Sequence, residues 1–148
     1  MVPVALTIAG SDPSGGAGLQ ADLKTFHQHG VYGTAVVTLL TVQNTQRVSR
    51  VEVMSGELVR QQAEAVLGDV APGAVKTGAL GNAEVISAVA ALKLSVPLVV
   101  DPVMISKHGH ALLAEEARDA LRTRLMPVTT LLTPNSQEAA ALWGQPVE

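Results

Sequence analysis

Ala5-Leu-Thr-Ile-Ala-Gly-Ser-Asp-Pro-Ser-Gly-Gly-Ala-Gly-Leu-Gln-Ala-Asp-Leu-Lys-Thr-Phe26 is the stretch whose reading decides the fold. Val4 to Ala9 is an apolar run of strand length, broken by Gly10; beyond the glycines, Leu19, Leu23 and Phe26 recur at helical spacing. The pattern predicts a strand, a glycine-rich turn and a helix. Gly15, Gly16 and Gly18 lack a Cβ and let backbone approach a ligand, and a helix N-terminus behind them is expected to offer unpaired N–H groups. Asp22 lies between Leu19 and Phe26 on the apolar stripe, so its carboxylate faces inward. A buried carboxylate needs partners: local backbone donors or a polar ligand group.

Composition narrows the function classes. A chain of 148 residues that is 47% apolar is expected to form one domain, 1–148, with a sizeable core. Aromatic content is 2%, so Ala, Val and Leu must build that core. A net charge of −3 with 10 basic residues argues against a nucleic-acid or anionic-membrane surface. The absence of cysteine fits a reducing compartment, no run is long enough to span a bilayer, and a cytoplasmic location is expected.

Outward from the opening stretch, strands and helices alternate. Thr34 to Val42 is a nearly unbroken apolar run, as for a strand buried on both faces. Val48 to Val53 alternates in the manner of a strand with one wet face, expected at an edge or in a flap. Ser55 is placed to cap a helix from Gly56 to Gly68. Ala74 to Thr77, Pro97 to Val100 and Val128 to Leu132 read as further strands, and Asn82 to Leu94, Ala111 to Arg124 and Ser136 to Trp143 as helices. This order implies an α/β fold with a parallel sheet wrapped by crossovers.

In such sheets a ligand sits beyond the carboxyl ends of the strands. Those ends carry Gly10-Ser11-Asp12, Gln43-Asn44, Thr77-Gly78, Asp101-Pro102 and Thr133-Pro134-Asn135. The Gln43 amide donates and accepts at once, which suits a heterocycle edge. Asp101, at the end of a buried strand, is either a cap or a place to hold Mg²⁺ near phosphates. Asn135 and Glu138 have the spacing of a capping box. Lys76, inside a core strand, is read as a snorkelling lysine. His108 and His110 read as solvated loop residues, and Lys107 as either a phosphate ligand or an ordinary surface lysine. No glycine loop here ends in Lys-Ser or Lys-Thr, so the Walker pattern is absent. Gly16 to Ala21 matches the looser dinucleotide fingerprint, but the ribose-binding acid is missing.

Thr7 to Phe26, Gln43-Asn44-Thr45, Lys76-Thr-Gly78, Val100-Asp-Pro-Val-Met104 and Leu132-Thr-Pro-Asn135 with Glu138-Ala-Ala140 together resemble the hydroxymethylpyrimidine/phosphomethylpyrimidine kinases of thiamine biosynthesis. The resemblance runs along the whole chain in order. It implies a ribokinase-like three-layer sandwich with a mostly parallel central sheet, truncated at its C-terminal side. It also implies ATP- and Mg²⁺-dependent phosphorylation of 4-amino-5-hydroxymethyl-2-methylpyrimidine and then of its monophosphate. Asp22 and Gln43 would grip the aminopyrimidine, with Gly10 and Val103 lining its pocket; Asp101, Asn135 and Glu138 would lie on the nucleotide side, with Asp101 and Glu138 toward the metal.

Two departures bear on substrate fit: His108 stands where the family has a small hydroxyl residue, and Ala79 where a methionine often lines the pocket. The family's later glycine-rich segment, with the phosphate cradle and the base, has no counterpart in this sequence. The chain is therefore expected to be a fragment that binds the pyrimidine without turnover. A non-catalytic pyrimidine-binding module, a related kinase acting on pyridoxal or a sugar, and a dinucleotide-dependent oxidoreductase are the alternatives. A homo-oligomer, paired through the Val48 to Val53 strand as a dimer, is also expected.

Overall fold

Alternation along the strands decides what each face of the sheet receives. In the computed structural model, which describes residues 1–106 and 109–147, β1 (Val4–Ser11) turns Leu6 and Ile8 into the main apolar core. The same strand turns Thr7 to the opposite face, where its hydroxyl reaches Asp22. That face is covered by α1 (Gly18–Gln28), whose Leu23 and Phe26 close over Gly33.

The chain continues through β2 (Tyr32–Gln43), β3 (Val48–Val53), α2 (Gly56–Leu67), β4 (Ala74–Thr77), α3 (Ala83–Ala90) and β5 (Leu98–Val100). A short α4 (Ala117–Ala120) runs on as a π-helical turn, Leu121–Leu125, and a 3₁₀ turn, Met126–Val128, before β6 (Leu131–Leu132) and α5 (Ser136–Trp143). Val59 and Ala63 of α2, Val85, Ile86 and Val89 of α3, Ala117 of α4, Leu121 and Leu125 of the π turn and Leu142 of α5 pack with Leu6, Ile8 and Val36 in one cluster. The result is three layers, with α1 on one face of the sheet and α2 to α5 on the other. Each buried Val, Leu or Ile contributes about 1.5–3 kcal/mol, which lets a nearly aromatic-free sequence sustain this core.

The sheet has 6 strands in the order β3-β2-β1-β4-β5-β6, parallel except for the β2–β3 pair. The half-polar β3 is thus an edge strand, as its alternation indicates. The chain first builds outward from β1 through β2 to β3, then returns to the other side of β1 and builds outward through β4. The strand order reverses at the β1–β4 junction, where a crevice opens beyond the strand ends. The β1–β2 register shifts between Ala9 and Ser11, so Gly10 sits at an irregularity that turns the strand end toward this crevice.

The expected cap at Ser55 forms, its hydroxyl accepting from the Leu58 N–H at 3.2 Å, and the Asn82 side chain also caps α3, accepting from the Val85 N–H at 3.0 Å. Three elements are shorter than the pattern indicates. The expected Ala111 to Arg124 helix begins only at Ala117, because Leu113 bridges to Gly81 and the Ala114 N–H donates to the Gly81 carbonyl at 3.0 Å. The strand expected from Val128 begins at Leu131, since Pro127 lies in the 3₁₀ turn and lacks an N–H for a ladder. The Asn82 to Leu94 helix ends at Ala90, where the chain must turn through Pro97 into β5. Among the described residues, no helix is long and apolar enough to cross a membrane.

Candidate active site

The glycine loop after β1 is built around Asp12. Asp12 is 3% exposed, and its carboxylate accepts from the Ser14 N–H and hydroxyl at 2.8 and 2.6 Å, and from the Gly16 and Ala17 N–H groups at 3.2 and 2.9 Å. Burial pushes the Asp12 carboxyl up, but these bonds from Ser14, Ala17 and Gly16 together outweigh it and hold the group below its ordinary range. Within the turn, the Gly16 and Ala17 N–H groups serve this internal carboxylate, whereas the first turn of the helix behind it has no side-chain cap. Gln20 fastens the turn to the strand, accepting from the Asp12 N–H and donating to the Ser11 hydroxyl, each at 2.8 Å.

Gly18 lets this loop close. Its φ is +60°, and a Cβ there would lie 2.3 Å from the Gly10 carbonyl oxygen. α1 therefore starts in contact with the end of β1, and its first turns carry Asp22 across the sheet. Thr7 and Lys76 are register neighbours on β1 and β4. Asp22 lies over both, accepting from the Thr7 hydroxyl at 2.6 Å and from the Lys76 ammonium at 2.9 and 3.0 Å. The snorkelling reading of Lys76 is overturned: its side chain is 23% exposed and its head group is paired with a carboxylate that is 18% exposed, not released to water. Half of the pair lies 54 residues away in sequence, so no local pattern reveals it. A signal was nonetheless present, since an inward aspartate and an inward lysine on adjoining elements are the natural answer to each other's burial.

Gly10, Asp22, Gln43, Asp101 and Val103 all line one cavity of about 310 Å³, together with Lys76, Gly78 and Ala79. Gln43 is half-buried at the end of β2, its carbonyl oxygen accepting from the Thr41 hydroxyl at 3.1 Å. Burial pushes the Asp101 carboxyl up; Lys76 pulls it down, while Glu138 and Asp22 add to the rise. Asn135 and Glu138 line a neighbouring hollow of about 490 Å³ that shares Ile105 and Ser106 with the first. They form the expected capping box: the Asn135 N–H donates to Glu138 at 3.0 Å and the Glu138 N–H to Asn135 at 2.8 Å. The rim therefore divides into two compartments on either side of the Ile105–Ser106 segment. Lys107 and His108, singled out in the sequence, lie outside the described residues.

A mostly apolar recess with a few convergent polar groups at a strand-order reversal is the geometry of a small-molecule site. The phosphomethylpyrimidine kinase family model matches residues 12–148. The chain belongs to the phosphomethylpyrimidine kinase family. A hydroxymethylpyrimidine/phosphomethylpyrimidine kinase of Synechococcus elongatus is 48% identical over 149 residues, covering 99% of this chain and 57% of the relative. Among solved structures, the phosphomethylpyrimidine kinase of Clostridium difficile superposes with a TM-score of 0.90 at 46% identity, covering 99% of this chain and 64% of that one. The pyridoxal kinase of Staphylococcus aureus in complex with AMP-PCP and pyridoxal superposes with a TM-score of 0.86 at 34% identity, covering 99% of this chain and 54% of that one. The chain thus spans little more than half the length of this curated relative, and as a phosphomethylpyrimidine kinase family member it has the ribokinase-like architecture expected from its sequence.

Proposed function

We propose that this chain forms the substrate-binding part of an ATP-dependent kinase that phosphorylates 4-amino-5-hydroxymethyl-2-methylpyrimidine and then its monophosphate. The observation that carries the reading is the convergence of Asp22, Gln43 and Asp101 on one cavity beside the strand-order reversal. Gln43 presents an amide to the heterocycle edge, Asp22 accepts from the amino group, and Gly10 and Val103 wall the ring. Asp101, with Asn135 and Glu138 beyond it, faces the nucleotide. Phosphoryl transfer rests mainly on alignment of the reacting oxygens and neutralisation of phosphate charge, and this cavity supplies the alignment of the acceptor alcohol.

The carboxylates suit Mg²⁺. Asp101 is a hard oxygen donor disfavoured by burial and by the neighbouring charges of Glu138 and Asp22, a conflict that a divalent cation relieves. Among the described residues no set of three potential ligands gathers, so phosphate oxygens and water would complete the shell around Asp101 and Glu138. When bound, the ion supplies neutralisation of the phosphate oxygens. No residue of this stretch is assigned as the base. Action in the cytoplasm and dimer formation through the outer edge of β3 belong to the same proposal.

Calorimetry with the pyrimidine, with and without Mg-ATP, tests the reading. Saturable pyrimidine binding lost in Gln43→Ala supports it; no binding by a folded chain refutes it. A second reading, a kinase acting on pyridoxal, is favoured by the likeness to the Staphylococcus aureus enzyme. Tighter binding of pyridoxal than of the pyrimidine decides for it.

A further inference from the structure

Lys76 is the one cation lining the cavity among the described residues, against the carboxylates of Asp12, Asp22 and Asp101. Asp12 is occupied by its own loop. The remaining balance is set where Asp22 meets Lys76. This arrangement depends on Gly78, because a Cβ there would lie 3.2 Å from the Lys76 ammonium and 3.0 Å from the Ala9 Cβ. The bare Cα of Gly78 leaves the ammonium room beside the strand end, within the cavity.

We infer that Lys76 is a specificity-determining residue: its ammonium, held on Asp22 over Gly78, is the counter-charge that lets this one cavity accept an anionic phosphorylated substrate as well as its neutral alcohol. This inference rests on the kinase reading above and deepens it. The first proposed substrate is neutral at its hydroxymethyl group, whereas its monophosphate carries about two negative charges near pH 7. Without Lys76 that anion would face Asp22 and Asp101 with no other cation among the described lining residues to offset them, in a recess where charges are weakly screened. With Lys76 present, the Asp22–Lys76 pair is neutral in sum, and Asp101 stands alone against the phosphate.

The test is the ratio of affinities for the alcohol and the monophosphate, measured by calorimetry on the purified chain at pH 7. Lys76→Met is expected to weaken the monophosphate roughly tenfold more than the alcohol. Lys76→Arg, which keeps the charge, is expected to preserve the wild-type ratio. The double variant Lys76→Met/Asp22→Asn leaves no unpaired half-buried charge, so it guards against misfolding. It also restores the charge sum and is expected to recover most of the ratio while weakening both ligands. A merely structural lysine would lower both affinities equally in every variant, and that result overturns the inference. If the wild-type chain binds neither pyrimidine, the kinase reading given above fails, and the ratio is measured with pyridoxal and pyridoxal 5′-phosphate. A selective loss of the phosphate form in Lys76→Met then supports the inference, and equal loss overturns it.

Discussion

Replacing Gly18 by alanine measures how much of the site depends on the close approach of α1 to β1. A Cβ at Gly18 meets the Gly10 carbonyl oxygen at 2.3 Å, well inside the 3.0 Å that real Cβ atoms keep, and the obstacle is backbone, which cannot swing aside. Gly30 is the matched control, for its φ is +70° against +60° at Gly18 and nothing lies within 4 Å of the Cβ position. Both variants incur about 1–2 kcal/mol for a side chain in the left-handed region. Both gain about 0.4–1 kcal/mol from a less flexible unfolded chain. The difference between them is therefore the clash, about 1–3 kcal/mol on the scale of overpacked interiors. At ~4 °C per kcal/mol for a chain of this length, Gly18→Ala should melt roughly 4–12 °C below Gly30→Ala in calorimetric scans. Because Gly10 itself lines the cavity, Gly18→Ala should also lose pyrimidine affinity while Gly30→Ala keeps it. Equal melting temperatures would refute the argument that the loop closes by backbone contact.

The remaining predictions concern individual side chains. Asp12 has a folded-state pKa below its ordinary 3.8, so it stabilises the fold fully above that value and loses the contribution as pH falls through its folded pKa. Melting temperature should drop on acidification below pH 3.8 by more in the wild type than in Asp12→Asn, and parallel acid curves would contradict this. Asn135→Ala removes the capping-box acceptor of α5 and should cost about 1 kcal/mol in urea unfolding, with Asn135→Ser recovering most of it. Thr7→Val removes the hydroxyl that donates to Asp22 and should destabilise by about 1.5–3 kcal/mol, the range for hydrogen bonds to charged groups; an unchanged urea midpoint would show that Lys76 alone satisfies the carboxylate.

Much of this was legible in the chain because it is local chemistry. The strands Val48–Val53 and Ala74–Thr77, the helix Ser136–Trp143 and the caps at Ser55 and Asn135 follow from side chains acting on backbone a few residues away. The rim of polar residues also follows, since a run of alternating strands and helices puts the carboxyl ends of the parallel strands β1, β2, β4, β5 and β6 on one side. The family motifs then implied what such a rim would hold.

The sequence by itself determined the order of the elements, the kind of most of them, and the presence of an inward carboxylate at Asp22, but not the faces of β2, where Leu40 and Val42 are exposed rather than buried on both sides. Tertiary structure alone decided that Asp22 meets Lys76, that Asp12 takes the Gly16 and Ala17 N–H groups, and that the rim splits at Ile105 and Ser106 into two compartments. The physical reason is range. Helix and strand preferences are set by neighbours within a turn or a pleat, whereas a buried charge takes whichever partner the sheet order brings beside it, here across 54 residues.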